Sequence, residues 1–384
     1  MLYVKPDYYD RFKCIAHQCE ATCCAGWQIV IDEESLERYK EEKSAYRETL
    51  HRRIDWQEGV FKQDNCKRCA FLDKDNLCDM YRNLGEESLC MTCTNYPRHI
   101  EEFENVREIT LSLSCPEVAR ILLHTNEPVA FWESWVEEPE EEFEDFDPFF
   151  YSYLEDGRSL ILKILQNRAL DISVRYGLIW RLAEEMQEMV DHDQLQELVD
   201  LYEKYEDCTY LNQAVKVLEK EKADFEENIF EAMAYSKSVF GKLYELEHLD
   251  DSWELWLEQC WAILYANKAK GYQQSHVDFR NWNATKNNRE HTEIPILSME
   301  IILEQLLVYF IFTYFCGAVY DGNVYGKVHM ALNSVYILYE MFAAKWIEQG
   351  KRLSQKDVER IVYRFSRELE HSDDNLDEMD EKIC

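Results

Sequence analysis

The spacing of hydrophobic residues changes about a third of the way along this chain of 384 residues. In the first part, apolar and polar residues alternate only in short runs, at 27–32 and 108–114, and such alternation predicts short strands. From about residue 157 onward, apolar residues recur every three or four positions, which is the period of an amphipathic helix. The pattern predicts a mainly α protein, in which a small cysteine-rich N-terminal domain with few short strands precedes an all-α helical domain.

Capping residues mark the ends of several predicted helices. Asp32 precedes a charged helix that runs to about residue 46, and Asp171 precedes a strongly periodic one. Ser354 and Asp357 have the spacing of a capping box, which predicts that the last helix begins there. Further helices are predicted over residues 195–205, 212–249, 252–268, 298–319 and 323–349.

The most apolar stretch of the chain, residues 306–319, is 14 residues long and has polar residues on both sides. A membrane-spanning helix needs about 20 apolar residues, so this stretch predicts a helix buried in the protein core. The first residues of the chain lack the apolar run of a secretory signal. Both observations predict a cytoplasmic location.

An acidic, proline-containing segment separates the two parts of the chain. Nine acidic residues lie within residues 133–147. This composition predicts an acidic linker over residues 126–150, between a domain of residues 1–125 and an all-α domain of residues 151–384.

The overall charge of the chain is strongly negative, with 76 acidic against 42 basic residues and a net charge of −34. Nucleic-acid binding is disfavoured, because contacts with phosphates require a basic surface. A negative surface suits a cationic partner, such as a protein that presents lysines.

Cysteines concentrate in the first third of the chain, which holds ten of the fourteen. They begin with the spacing C-x4-C-x3-C-C and continue with two C-x2-C pairs, Cys66/Cys69 and Cys90/Cys93. Such pairs let two thiolates from one tight turn reach one metal ion. In a cytoplasmic chain, this density predicts metal or iron–sulfur binding in preference to a disulfide framework.

The spacing leaves the identity of the metal open. Zinc accepts thiolates together with imidazole, and His17, His51 and His99 are available. Iron–sulfur clusters are commonly held by four thiolates, so ten cysteines would suffice for two four-ligand sites. Any one of these cysteines can also be an inert, buried, small hydrophobic residue.

Several common catalytic motifs are missing. The eleven glycines never occur as G-x-G or G-G, so the chain has neither a dinucleotide-binding fingerprint nor a phosphate-binding loop. A Rossmann-type methyltransferase domain is therefore disfavoured. Cys19 and Cys23 begin the C-x3-C-x2-C spacing of radical S-adenosylmethionine enzymes, but Gly26 occupies its third cysteine position.

The cysteine motifs resemble those of the flagellin lysine-N-methylases, the FliB family. The resemblance rests on FKCIAHQCEATCCAGWQIVID, CAFLDKDNLC, LGEESLCMTCTNYPR and LSCPEVARILL, and on the segment RFSRELEHSDDNL near the end of the chain. The first 120 residues are also similar to the wider group of zinc- or iron-chelating domains with clustered cysteines.

The resemblance implies an enzyme that transfers methyl groups from S-adenosylmethionine to lysine side chains of flagellin. It also implies a [4Fe–4S] cluster in the cysteine region. Cys66 is an addition to the family pattern, whereas nine cysteines match it and are the candidate ligands: Cys14, Cys19, Cys23, Cys24, Cys69, Cys78, Cys90, Cys93 and Cys115.

The candidate catalytic residues are Glu370 and His371, near the end of the chain, and Tyr96 in the motif NYPR. A lysine must be neutral to accept a methyl group, so a nearby base or an apolar pocket must lower its pKa. Arg98 and Trp27 are assigned to cofactor binding, since a guanidinium can pair with a carboxylate. We expect the C-terminal segment to fold back onto the cysteine region, because pockets often form between domains.

Two functions of other classes remain open. The cysteine region is consistent with a zinc-stabilised module without catalytic activity, joined to a helical protein-binding adaptor. It is also consistent with an iron–sulfur protein that transfers electrons to a partner.

Overall fold

A four-stranded sheet forms the first part of the computed structural model, which describes residues 1–284 and 297–380. The strands of the described chain are β1 (Leu2–Pro6), β2 (Ile54–Asp55), β3 (Val60–Phe61), β4 (Arg98–Phe103), β5 (Val106–Leu111) and β6 (Phe131–Trp135). The order in the larger sheet is β4-β5-β1-β6. β1 runs parallel to β5 and antiparallel to β6, so that Leu2 lies between Val106 and Trp135. β2 and β3 form a separate small hairpin.

The two predicted strands had different outcomes. A strand is present at the run 108–114, but it is β5, which ends at Leu111, so residues 112–114 lie beyond it. The run at 27–32 is not a strand, because only Val30 forms an isolated bridge, to Val60. Its alternation instead buries Ile29 and Ile31 in a small core of the cysteine region.

The acidic segment is attached to the sheet over part of its length. β6 lies within this segment and is hydrogen-bonded to β1. Beyond β6, the Tyr3 hydroxyl donates to Glu138 at 2.9 Å, and Arg107 forms an ion pair with Glu141. The segment therefore packs along the sheet here, whereas the domain limits at 125 and 151 stay predictions.

Helices make up most of the described chain, which confirms the predicted mainly α class. They are α1 (Glu33–Glu41), α2 (Arg47–Arg53), α3 (Asp79–Leu84), α4 (Met91–Asn95), α5 (Pro116–Leu123), α6 (Pro148–Leu165), α7 (Ile172–Asp191), α8 (Glu197–Glu206), α9 (Cys208–Glu227), α10 (Ile229–Gly241), α11 (Trp253–Tyr265), α12 (Ala269–Ala284), α13 (Met299–Tyr314), α14 (Ala318–Asp321), α15 (Val324–Glu348), α16 (Gln355–Glu370) and α17 (Asp373–Asp380).

The predicted caps are present where the sequence placed them. Asp32 and Asp171 each accept a hydrogen bond from the first turn of their helix, and Ser354 forms the full capping box with Asp357. The single helix predicted over 212–249 is wrong. It is interrupted at Asn228, whose side chain instead caps α10. The helix that begins after Ser354 is also not the last one, since α17 follows it.

The apolar helix α13 lies in the main hydrophobic core. Residues Met299–Asp321 are long and apolar enough to cross a membrane, but 83% of the 18-residue apolar window within them is buried inside the protein. On the sheet side, Phe312 stacks on Phe131 of β6, with ring centroids 3.9 Å apart. The helix therefore packs as the buried core element that the sequence predicted.

A buried ion pair joins α12 to α15. The Nδ1 atom of His276 lies 2.9 Å from the carbonyl oxygen of Tyr272, and its Nε2 atom lies 3.0 Å from Glu340. Both partners accept hydrogen bonds, so the geometry suits the doubly protonated imidazolium. Burial lowers the pKa of His276, but the charge of Glu340 and the hydrogen bonds to Glu340 and Tyr272 together more than offset this, and the net pKa is raised above 6.5.

This pair predicts a pH-dependent contribution to stability. The pKa of His276 is raised on folding. The stabilisation that protonated His276 contributes is therefore complete below about pH 6.5, and it is lost as the pH rises through the folded-state pKa. We expect His276→Ala to reduce the free energy of unfolding by about 3 kcal/mol near pH 6, because Glu340 is left buried without its partner. Urea unfolding between pH 6 and 9 measures this. An equal loss at every pH would contradict it.

Candidate functional site

Five thiols surround the small core of the cysteine region, and we call them the core thiols. They pack with Ile29, Ile31 and Phe71 and are Cys24, Cys69, Cys78, Cys90 and Cys93. The backbone holds two distant parts of the sequence together here, because the Cys69 N–H donates to the Cys24 carbonyl at 2.8 Å. The C-x2-C and C-C motifs therefore meet in one place.

The remaining four candidate ligands are the outer thiols: Cys14, Cys19, Cys23 and Cys115. Electrostatic interactions link Cys23 with Cys14 and Cys115, and Cys115 with Cys14 and Cys19. The vicinal pair thus contributes Cys23 to the outer thiols and Cys24 to the core thiols. A hydrogen bond from Cys23 lowers the pKa of Cys24 to about 7. The thiols of the pair therefore contact each other, although their other neighbours differ.

Three of the candidate ligands occupy the same local position, the N-cap of a helix. Cys78 stands at the N-cap of α3, Cys90 at that of α4 and Cys115 at that of α5. Burial raises the pKa of Cys78 and of Cys115, while backbone N–H groups in the first turn of each helix oppose that shift. Such N–H groups stabilise a thiolate, which is the form that binds metal ions.

The donor set fits the chemistry of iron–sulfur or zinc sites, both of which use thiolates. The thirteen cysteines within residues 1–284 and 297–380 are all free. In the same residues, no group of three or more cysteine, histidine or acidic side chains has the geometry to hold a metal ion. The metal and its ligands therefore stay a prediction. Cys66 is exposed and lies outside both groups of thiols.

Three of the five predicted catalytic and cofactor-binding residues come together beside the outer thiols. The ring centroid of Trp27 is 5.5 Å from that of His371 and 6.0 Å from that of Tyr96, and Tyr96 is 6.2 Å from His371. All three side chains are half-buried. The Trp27 indole donates to the Cys23 carbonyl at 2.7 Å. We call this group the aromatic triad.

His371 lies at the C-terminal end of α16, and arginines of that helix contact the cysteine region. The Arg367 guanidinium donates to the carbonyl of Ser114 at 2.9 Å and also to the carbonyl of Ala21. Two helical turns earlier in the sequence, Arg360 pairs with Glu20 at 3.0 Å, whereas Arg364 contacts Ser252, outside the cysteine region. The C-terminal segment thus folds back onto the loop that carries the first cysteines.

A chain of hydrogen bonds connects the triad with Glu370. The Tyr96 hydroxyl lies 3.0 Å from Ser114 Oγ, which lies 2.6 Å from Ser112 Oγ, and the Ser112 hydroxyl donates to Glu370. The Tyr309 hydroxyl donates to the same carboxylate at 3.0 Å. An ionised carboxylate can only accept hydrogen bonds. Tyr96 must therefore donate to Ser114, Ser114 to Ser112, and Ser112 to Glu370.

Tyr96 and Glu370, the two ends of this series of hydrogen bonds, were predicted from the sequence, whereas the serines between them were not. Their signal is the pattern Ser112-Leu113-Ser114, whose two hydroxyls meet in the turn just after β5. Tyr309 comes from the buried helix α13, where nothing in the local sequence distinguishes it from a core tyrosine.

His371 and Glu370 are the two acid–base candidates near the end of the sequence, and their surroundings shift their pKa values in opposite directions. Burial, and then the charge of Arg367, lowers the pKa of His371 to about 4. Burial raises the pKa of Glu370, although hydrogen bonds from Ser112 and other hydroxyls oppose the shift. His371 is therefore neutral at pH 7 and a weak proton acceptor.

Arg98, which was assigned to cofactor binding, and Glu368, which lies near Glu370 in the sequence, are apart from the triad in their contacts. Arg98 donates to the Tyr9 hydroxyl at 2.9 Å and covers the rings of Tyr9 and Phe12. Glu368 accepts two backbone N–H groups, from Leu249 and Asp250. Glu368 thus anchors the loop before α11, while a role of Arg98 in cofactor binding stays a prediction.

Comparison with known proteins identifies the relatives of this chain. Residues 158–383 match the family model of the FliB lysine N-methylase C-terminal domain. A lysine-N-methylase of Salmonella typhimurium strain LT2 is 29% identical over 140 residues, which cover 34% of this chain and 35% of that protein. The flagellar biosynthetic protein FliU of Salmonella muenchen is 30% identical over 137 residues, which cover 34% of this chain and 81% of FliU.

A lysine-N-methylase of Salmonella choleraesuis strain SC-B67 is similar to the same extent, again over 35% of its length. The aligned part of the chain thus spans about a third of these two curated lysine-N-methylases. No solved structure is significantly similar to the chain. Because the family model matches more than half of its residues, the chain belongs to the FliB lysine N-methylase family.

Proposed function

We propose that this chain is a protein lysine N-methyltransferase that uses S-adenosylmethionine as methyl donor and flagellin as substrate. The observation that carries the proposal is the aromatic triad, where His371 of the family's C-terminal domain meets Trp27 and Tyr96 of the cysteine region. Family membership and the names of the relatives support the reaction, and FliU's name supports a flagellar substrate.

The triad suits the chemistry of an amine that is to be methylated. The nitrogen lone pair forms a bond to the methyl carbon, the bond between that carbon and sulfur breaks, and S-adenosylhomocysteine leaves. Contact with three half-buried rings removes water from the lysine ammonium and so lowers its pKa. The ring faces then stabilise the positive charge that develops on nitrogen during transfer.

The hydrogen-bonded chain supplies a path for the proton that the lysine must lose. The Tyr96 hydroxyl takes the proton and passes its own to Ser114, and the relay ends on the carboxylate of Glu370. The lysine loses one proton and Glu370 gains one. A carboxylate whose pKa is raised by burial accepts a proton better than an ordinary one. The neutral His371 shapes the triad and is not the base.

The outer thiols would hold a [4Fe–4S] cluster next to this site. Two of them, Cys23 and Cys115, lie close enough to Tyr96 of the triad to interact with it electrostatically. A cluster held by three of these four thiolates would leave one iron able to bind the amino and carboxylate groups of the methyl donor. Zinc is the alternative occupant of the same thiolates.

The proposal is tested by incubating anaerobically purified protein with S-adenosylmethionine and flagellin and measuring lysine methylation by mass spectrometry. We expect Trp27→Ala to reduce the rate about 100-fold, since the triad then no longer orients the amine. Trp132→Ala is the matched control, because that indole is 69% exposed and lies on β6. Absence of methylation, together with stoichiometric zinc, would favour the non-catalytic zinc module instead.

A further inference from the structure

The relay of the proposed mechanism ends on Glu370, and this carboxylate must lose its proton again before the next transfer. Hydroxyl groups of the protein contact both of its oxygens, because the Tyr309 hydroxyl lies 3.0 Å from each and Ser112 donates to Oε2. Burial raises the pKa of Glu370, so it holds a proton more tightly than an exposed carboxylate does. Release of the proton therefore depends on the groups around Glu370.

A second tyrosine of helix α13 continues the contacts of Glu370 beyond Tyr309. The Tyr314 hydroxyl is hydrogen-bonded with that of Tyr309, which itself contacts Glu370. Burial raises the pKa of Tyr314, and the charges of Glu370 and Glu101 raise it further. The Tyr314 hydroxyl therefore lies close enough to interact with both carboxylates.

A histidine and a glutamate of β4 lie next to Tyr314, and we call them the exit pair. The ring centroid of His99 is 5.6 Å from that of Tyr314, and its Nε2 atom is 2.5 Å from Glu101. In the sheet, His99 is paired with Thr110 of β5, two residues before Ser112. The side chains of His99 and Glu101 are 33% and 28% exposed, so the exit pair is accessible to water.

Groups on four elements surround His99 and determine its protonation. Burial lowers the pKa of His99, but the hydrogen bond to Glu101 and the charges of Glu101, Glu370 and Asp373 together raise it above 6.5. These acids come from β4, from the end of α16 and from the start of α17, and Tyr314 of α13 packs on the ring. Histidine changes its charge close to neutral pH, which suits it to accept a proton and pass it on.

We propose, on the basis of the proposed function, that Tyr309, Tyr314 and the exit pair form the path by which Glu370 returns its proton to solvent. Protonated Glu370 donates to Tyr309, the proton of Tyr309 passes to Tyr314, and that of Tyr314 passes to the exit pair, which releases one proton to water. Each hydroxyl gains one proton and loses one, so only Glu370 and the solvent change. His99 acts through Glu370 and does not contact the substrate.

Rapid-mixing kinetics separate this exit from methyl transfer itself. The first transfer requires only an ionised Glu370, whereas each later transfer also requires the exit. We expect His99→Ala and Tyr314→Phe to keep the rate of the first turnover within about twofold and to lower the steady-state rate about tenfold. Methylated lysine should then appear in a burst equal to the enzyme concentration. Imidazole in solution should restore the steady-state rate of His99→Ala, because this site is a third exposed.

The matched control is His124→Ala. His124 also pairs with a glutamate, Glu359 at 2.8 Å, and its side chain is 31% exposed, but this pair joins the end of α5 to α16. The control should keep both rates and gain nothing from imidazole. Unchanged steady-state rates in His99→Ala and Tyr314→Phe would overturn the exit, and so would equal losses in the first and later turnovers without rescue by imidazole.

An NMR titration tests the contact between Glu370 and the exit pair without catalysis. The pKa of His99 should fall in Glu370→Gln, because the imidazolium loses one of its neighbouring negative charges. An unchanged His99 pKa would overturn the exit even in a protein that methylates lysine. A wild-type protein that transfers no methyl group, with the pKa of His99 still dependent on Glu370, would contradict the proposed function, and the exit would be rejected with it.

Discussion

Tyr96→Phe is expected to slow methyl transfer about 100-fold, because the lysine proton then has no hydroxyl through which to leave. Ser114→Ala should have a similar effect, since it interrupts the same chain of hydrogen bonds between Tyr96 and Glu370. The double variant should be little slower than either single variant, because the two residues act in one path. Initial rates under saturating methyl donor measure all three.

A pH–rate profile separates proton transfer from a merely structural role of these residues. Glu370 must be ionised to accept the proton, so the rate of the wild-type protein should fall as the pH falls through the Glu370 pKa, which burial raises. Glu370→Gln should lose this acid limb together with most of the activity. Tyr320→Phe is the control, since that hydroxyl donates to the carbonyl of Glu102, outside the chain. A Tyr96→Phe protein with the full rate and an unchanged profile would remove the relay from the mechanism.

Cys23→Ser and Cys115→Ser are expected to abolish iron binding and, with it, methyl transfer. Each removes one of the outer thiols, and hard hydroxyl oxygens are poor substitutes for the soft thiolates that iron–sulfur clusters need. Iron and sulfide analysis, with absorbance near 400 nm, measures the cluster in anaerobically purified protein. Methylation assays on the same samples measure the consequence.

Two further variants make the cluster prediction specific. Cys66→Ser should retain iron and activity, because Cys66 is exposed and lies outside both groups of thiols. Cys69→Ser removes one of the core thiols and is therefore expected to retain the iron of the outer site. Iron that is lost in Cys69→Ser but kept in Cys23→Ser would place the cluster among the core thiols instead. Stoichiometric zinc without iron would contradict the cluster altogether.

Local features of the molecule were predictable from sequence because their causes lie within a few residues. Asp32, Asp171 and Ser354 cap their helices through hydrogen bonds to N–H groups two or three residues further on. The break between α9 and α10 escaped prediction, since Asn228 occurs within a continuous helical pattern and acts as a cap only once the two helices pack separately.

The sequence by itself determined the helical class, the clustering of thiols, the acidic charge and the family, because composition, period and motif spacing carry this information directly. Only the tertiary structure decided that Trp27, Tyr96 and His371 form one group, and that two serines join Tyr96 to Glu370. Arg367 and Ala21, which hold these parts together, are 346 residues apart. Contacts at such separation depend on how the sheet and α16 pack against the cysteine loop, and no local pattern of residues encodes that arrangement.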